Sequence, residues 1–275
     1  MCVPAMCVGV RPRYVRCDLT AGERDVLRVV VIWKAVAFFL FAGSNVAVAH
    51  IADDGVSGMK KGYEVRGTSL FPVYPQGYAC SPLTSLYASW VDVDGSHRQE
   101  IHTGVDGGRL GEWILAPGPG VVKAVWEANW GWGNEGALLL VHKASELNLD
   151  DGASFYYTVY DHLRYDEIKH FRVGQKVTRG MQLARVSRPG GHAKYLPEVH
   201  WEVWEVDADR LTWTTNRFGG REWRNRSARL IDPLYMLGLH EPPEDGRSIS
   251  IVPFDPVADY RAFRGFTYIF DCPKS

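Results

Sequence analysis

The sequence predicts a mostly β fold for this chain of 275 residues, and two observations support the prediction. Its 10 Trp and 13 Tyr residues favour strands, and its 28 Gly residues favour tight turns over long helices. Short runs rich in β-branched and aromatic residues also recur between residues 95 and 206, each bounded by glycine, asparagine or a polar loop. The length allows one large domain or two small ones.

Several segments have a local pattern that predicts one element each. Residues 173–180 predict a turn between two short strands, and the polar, arginine-rich residues 207–227 predict a loop. The Asp232-Pro233 pair predicts the start of a short helix within residues 231–239. The half-buried alternation of residues 199–206 predicts a strand with one polar face. The strands predicted from composition cover residues 120–126, 137–142, 155–160 and 199–206.

The N-terminal 49 residues predict an extension followed by a signal peptide. Positive charge at Arg24, Arg28 and Lys34 precedes an uninterrupted apolar run at residues 35–43, and Ala47-Val48-Ala49 offers a small-x-small cleavage pattern. A membrane anchor is the alternative, but the run is shorter than the roughly 18 apolar residues that a spanning helix needs. The interpretation is therefore export to the periplasm or the medium, with no stable membrane span after cleavage. After the predicted cleavage site, the sequence predicts an N-terminal segment at residues 50–94, a main domain at 95–240 and a tail at 241–275.

Charge and cysteine content limit the possible partners and indicate the compartment. With 31 Lys and Arg against 32 Asp and Glu, no basic excess favours nucleic acid as a partner. The sequence points to no particular protein partner. Only Cys80 and Cys272 follow the predicted cleavage site. In an oxidising compartment they suggest one disulfide tying the tail to the N-terminal region, although two separate buried thiols remain the alternative.

The segment His102-Thr103-Gly104-Val105-Asp106 is the first candidate for a metal site. A histidine and an aspartate four residues apart can share a metal ion if the backbone between them turns tightly. Gly104, Gly107 and Gly108 permit such a turn. Taken alone, however, this spacing more often marks a hydrogen-bonded pair on the surface.

Two further segments carry candidate histidines. On a strand, Glu198, His200 and Glu202 share one face, and an imidazole flanked by carboxylates suits a metal ligand with a neighbouring base. The alternative is an ordinary polar outer face. His162 stands at the end of an aromatic strand, where the alternative is an imidazole exposed to solvent.

Taken together and in order, these motifs resemble the M23 family of zinc metallopeptidases, of the lysostaphin and LytM type. The resemblance covers roughly residues 95–237. The matching segments are HTGVD at 102–106, GPGVV at 118–122, YDHL at 160–163, VGQKVTRGMQLA at 173–184, EVHWE at 198–202 and IDPL at 231–234.

The resemblance implies a fold, a cofactor and an activity. The fold is an antiparallel two-sheet, partly open barrel with a loop-lined groove. One Zn²⁺ per chain is held by His102, Asp106 and His200, which leaves a fourth position for water. His162 assists proton transfer or stabilises the oxyanion. The activity is that of a zinc metalloendopeptidase, which hydrolyses the peptide stems or cross-bridges of bacterial peptidoglycan.

One position departs from the family pattern. The family's last motif begins with a second catalytic histidine, and this chain has Glu198 there. Either Glu198 takes over as general base, or the site holds zinc but hydrolyses poorly; His192 is a weaker candidate for the missing imidazole. A catalytically weak or inactive module that binds the wall or regulates another wall hydrolase is therefore the alternative function. The candidates for lining the groove, with the core as their alternative, are Trp126, Trp130, Trp132 and Trp201.

Overall fold

The computed structural model describes residues 53–60, 63–68, 70–150 and 152–275. The signal peptide and cleavage site predicted within residues 1–49 lie outside these ranges. Within the described ranges there are two short α-helices, α1 (Tyr165–Ile168) and α2 (Pro233–Leu237). The strands, numbered in chain order, are β1 (Asp53–Lys60), β2 (Tyr63–Thr68), β3 (Phe71–Val73), β4 (Leu83–Ser85), β5 (Val105–Gly107), β6 (Trp113–Leu115), β7 (Gly120–Asn129), β8 (Asn134–Lys143), β9 (Phe155–Leu163), β10 (Lys176–Val177), β11 (Gln182–Arg185), β12 (Val199–Val206), β13 (Thr212–Thr215), β14 (Arg221–Arg224), β15 (Ala228–Ile231) and β16 (Ser248–Ser250).

One antiparallel sheet organises the described part of the chain. Its strand order is β10-β7-β8-β9-β12-β5-β4, and β15 pairs with the second half of β12 beyond the end of β5. The other sheets have two strands each: β1 with β2, β6 with β11, β13 with β14, and β3 with β16 in parallel. Among the described strands no sheet closes on itself, and the predicted all-β, antiparallel fold class is confirmed. None of the helices in these ranges is long and apolar enough to span a bilayer.

The four strands predicted from composition lie in β7, β8, β9 and β12, at the centre of this sheet. In β7 buried and half-buried residues alternate, as expected for a strand with one covered face. The half-buried character predicted for β12 is wrong, because six of its eight residues are buried. Phe266, from the C-terminal segment, packs over the sheet with its ring centroid 6.3 Å from that of Trp201.

Two predicted segments differ from the structure. Residues 173–180 do not separate the two strands of a hairpin, since β10 pairs with β7 whereas β11 pairs with β6. Residues 207–227 are not an irregular loop but contain the β13–β14 hairpin. Trp213 faces Trp223 across this hairpin, and its ring meets the ring of Trp126 edge-on at 5.3 Å. These aromatic contacts stabilise the two strands, although the many arginines around them make the sequence resemble a polar loop.

The predicted helix at Asp232-Pro233 is confirmed as α2. The Asp232 carboxylate accepts a hydrogen bond from the Leu234 backbone N–H at 2.9 Å and so caps the helix. Pro233 occupies the first helical turn, where a missing N–H costs nothing.

The C-terminal segment contributes to the core. Phe266, Tyr268 and Phe270 are fully buried, and the Tyr268 hydroxyl donates to the Ser81 carbonyl at 2.6 Å. The predicted Cys80–Cys272 disulfide is confirmed and joins positions 192 residues apart. This end of the chain is therefore tied to residues 70–94 by packing, hydrogen bonding and a covalent bond.

Replacing Cys80 and Cys272 together by serine is expected to lower the free energy of unfolding by about 5 kcal/mol. A cross-link that closes so long a loop removes conformational entropy from the denatured chain, and serine restores it. Guanidinium unfolding of the non-reduced proteins measures the difference. The reduced wild type serves as the control, since it should unfold at nearly the midpoint of the double variant. Equal midpoints for the oxidised wild type and the variant would contradict the expectation.

Candidate metal centre

His102, Asp106 and His200 converge at one end of the large sheet. Asp106 on β5 is the register partner of His200 on β12, and His102 lies three residues before β5. The His102 Nε2 atom lies 3.1 Å from His200 Nδ1 and 3.0 Å from Asp106 Oδ2. His200 Nδ1 lies 2.8 Å from Asp106 Oδ1. Three potential metal ligands thus face one point, although His102 and His200 are 98 residues apart.

Gly104 permits the tight turn between the first two of these residues. A Cβ atom at this position would lie 2.3 Å from the Trp201 carbonyl oxygen on β12 and 3.1 Å from the His200 ring. Any other residue would push the turn away from β12 and separate His102 and Asp106 from His200. Close packing of the two backbones, rather than a left-handed conformation, is what requires glycine here.

Hydrogen bonds orient the two imidazoles. His102 Nδ1 lies 2.8 Å from the Leu86 carbonyl oxygen, to which it can only donate, so the Nε2 lone pair faces the cluster. His200 Nε2 lies 3.3 Å from Glu202 Oε1, so Nδ1 is the nitrogen that faces His102 and Asp106. The fully buried Glu202 carboxylate also accepts from Thr103 Oγ1 at 2.6 Å and from Trp204 Nε1 at 2.9 Å. A carboxylate behind a histidine is the usual outer partner of a metal-binding imidazole.

The donors fit zinc in type, spacing and charge. Two nitrogens and a carboxylate are common zinc ligands, and donors about 2.0–2.1 Å from a tetrahedral ion lie about 3.3 Å apart. Burial lowers the pKa of His200, but hydrogen bonds to Asp106 and Glu202 outweigh it and raise this pKa to about 10. For Asp106, burial raises the pKa, and the His102 and His200 imidazoles bring it well below its usual range. The neighbouring carboxylates therefore stabilise positive charge at His200, whereas burial lowers the pKa of His102.

His162 lies beside this cluster and is buried rather than exposed, so the exposed alternative is wrong. Its Nδ1 atom lies 2.6 Å from Glu135 Oε2, and Glu135 Oε1 accepts from the Gly190 N–H at 2.9 Å. Burial lowers the pKa of His162, but the hydrogen bond and charge of Glu135 outweigh it and raise this pKa. The sequence analysis did not predict a role for Glu135. The one signal in the sequence was a carboxylate at the start of an apolar strand.

Glu198 precedes β12 and lies in the same cleft. Its Oε1 atom is 3.9 Å from His162 Nε2. Burial, reinforced by the charge of Asp106, raises the pKa of Glu198 to about 7. A carboxyl group with a pKa near neutrality can both accept and return a proton.

The cleft around these residues has a volume of about 420 Å³. Trp130 and Trp132 are among its lining residues, whereas Trp126 and Trp201 are buried in the core. The tip of the β13–β14 hairpin supplies further lining at residues 215–218. His192 is exposed on a neighbouring loop and is not among the described residues that line the cleft.

No family model and no curated protein matches the sequence. Solved structures are similar over part of the chain. The structure of LytU has 19% identity and a TM-score of 0.38 over 63% of this chain and 95% of its own. The catalytic domain of the prophage-encoded M23 protein EnpA from Enterococcus faecalis has 24% identity and a TM-score of 0.32, over 49% and 85%. The catalytic domain of the antimicrobial peptidase lysostaphin from Staphylococcus simulans has 18% identity and a TM-score of 0.33, over 57% and 90%. At such values, the arrangement of the side chains is the better guide to function.

Proposed function

We propose that this chain is a zinc metalloendopeptidase of the M23 type that hydrolyses peptide cross-links in bacterial peptidoglycan. The observation that carries the proposal is the convergence of His102, Asp106 and His200, with Glu198 and His162 beside them in one cleft. The order of the motifs along the chain supports the family and the substrate class. The predicted signal peptide supports export.

In this proposal zinc would be held by the His102 and His200 imidazoles and the Asp106 carboxylate, the three side chains that converge. When bound, zinc polarises the scissile carbonyl and lowers the pKa of a coordinated water toward about 7. Glu202 and Thr103 keep the His200 ring in the orientation that turns Nδ1 toward the metal.

Glu198 and His162 carry the proton transfers in this mechanism. Glu198 accepts the proton of the attacking water and returns it to the leaving amine, since its carboxyl group lies in the cleft beside the three converging residues. His162, held through Nδ1 by Glu135, presents Nε2 to the cleft and donates a hydrogen bond to the carbonyl oxygen as negative charge develops there. The raised pKa of His162 favours the protonated form that this donation requires.

The presence of Glu198 in place of a histidine favours one alternative, a module that binds the wall or regulates another hydrolase without cutting. Incubation of the zinc-loaded protein with purified peptidoglycan separates the two functions. The peptidase should release new amino groups, lose this activity with a chelator and regain it with added zinc. Binding to peptidoglycan without release of amino groups would support the alternative.

A further inference from the structure

The β13–β14 hairpin holds its tip firmly against the rest of the protein. Asn216 Nδ2 donates to the Asn129 carbonyl oxygen at 2.8 Å, at the end of β7. The Phe218 ring packs so closely on Gly131 that a Cβ atom there would lie 2.9 Å from it. The backbone of Arg217, between these two contacts, therefore has a fixed position at the cleft.

The Arg217 side chain is less constrained than its backbone. It is 62% exposed, its guanidinium lies 4.8 Å from the Phe218 ring centroid, and its Nη1 atom lies 3.2 Å from Glu100 Oε1. Glu100 is itself 37% exposed and lines the same cleft. The ion pair thus joins two chain segments that both line the cleft around the candidate metal centre.

The other cleft arginines are held more tightly. Arg98 is 17% exposed and contacts Asp92 at 3.1 Å and Asp106 at 3.3 Å. Arg224 contacts the buried Glu222 at 2.8 Å. An exposed pair such as Arg217–Glu100 favours its closed form by at most about fivefold, so another carboxylate can replace Glu100 at little cost.

We propose that Arg217 is a specificity-determining residue that binds a free carboxylate of the peptide substrate, and that Glu100 occupies its place in the free protein. A guanidinium that meets a carboxylate can form two parallel hydrogen bonds, and stacking on Phe218 orients the planar group for this. The substrate class is therefore a peptide with a free carboxylate rather than an amide. This inference rests on the proposed function, because it treats the cleft as a peptide site.

Binding of two matched probes tests the inference: pentaglycine with an N-terminal fluorescein label, ending in a free carboxylate or in a carboxamide. Fluorescence anisotropy gives the Kd of each for zinc-loaded protein carrying Glu198→Gln, so that cleavage does not interfere. In this background the carboxylate probe should bind about three- to fivefold more tightly than the amide. Adding Arg217→Gln should remove the preference, and adding Glu100→Gln should increase it because the internal competitor is gone.

Arg221→Gln provides the matched control. Arg221 lies on the same hairpin and stacks on Trp213 at 4.1 Å, but it is not among the residues that line the cleft. Its removal should leave the preference unchanged. Equal affinities for the two probes, no measurable binding of either, or weaker binding of both after Glu100→Gln would overturn the proposal. Failure of the wild type to cut peptidoglycan would count against the proposed peptidase activity alone, because these measurements detect binding.

Discussion

Replacing His200 by alanine is expected to abolish stoichiometric zinc binding and, with it, hydrolysis of peptidoglycan. His200 provides one of only two imidazoles in the candidate centre, and its Nδ1 atom lies about 3 Å from both other ligands. Loss of an outer-shell partner alone usually costs 10- to 100-fold in metal affinity or activity, and loss of a direct ligand should cost more than about 100-fold. Elemental analysis after dialysis measures the metal; the wild type should retain one zinc per chain.

His192→Ala is the matched control for this variant. His192 is exposed outside the cleft lining, so its removal should leave both zinc content and activity unchanged. Full zinc retention in His200→Ala would show that the three converging side chains are not the metal site.

Replacing Glu198 by glutamine is expected to reduce peptidoglycan cleavage by about 10²- to 10⁴-fold while zinc content stays the same. Glutamine preserves the shape of the side chain but cannot take up the proton, and Glu198 is not one of the three converging ligands. Release of amino groups measures cleavage, and elemental analysis of the same sample measures zinc. Wild-type cleavage by the glutamine variant would mean that Glu198 is only a polar residue of the cleft.

Glu198→His is the second comparison at this position. It introduces the histidine found in the M23 pattern, with zinc content again expected to be unchanged. If the wild type is inactive and this variant cleaves peptidoglycan, the chain has lost catalytic activity through this substitution. The wall-binding or regulatory alternative is then favoured. If Glu198 is a working base, the histidine variant should not exceed the wild type by a large factor.

The central strands could be predicted from sequence because they depend on local patterns, whereas the candidate ligands His102, Asp106 and His200 were predicted from the resemblance of the ordered motifs to the M23 family. Aromatic and β-branched runs marked the four central strands, and Asp232-Pro233 marked α2. The β13–β14 hairpin was missed because its stability comes from Trp213 and Trp223, whose partners are distant in sequence.

The polar contacts behind the site were harder to predict. Glu135 holds His162 from β8, 27 residues away, and Thr103 reaches Glu202 across 99 residues. No local sequence pattern indicates such a contact, because the contact depends on which strands pair in the folded sheet. The face shared by Glu198, His200 and Glu202 was predictable from strand alternation, whereas the complete burial of Glu202 was not.

The burial of Phe266, Tyr268 and Phe270 has a consequence for the order in which the protein can be made. These aromatic residues follow all the described strands in the sequence, so a ribosome synthesises the strands before the side chains that cover them. Before these residues are made, the sheet exposes apolar surface. The incomplete chain is therefore expected to bind chaperones rather than to fold. A premature stop at position 266 would remove Phe266 to Phe270 together with Cys272. It should yield protein that is degraded or aggregates, not a slightly shortened functional form.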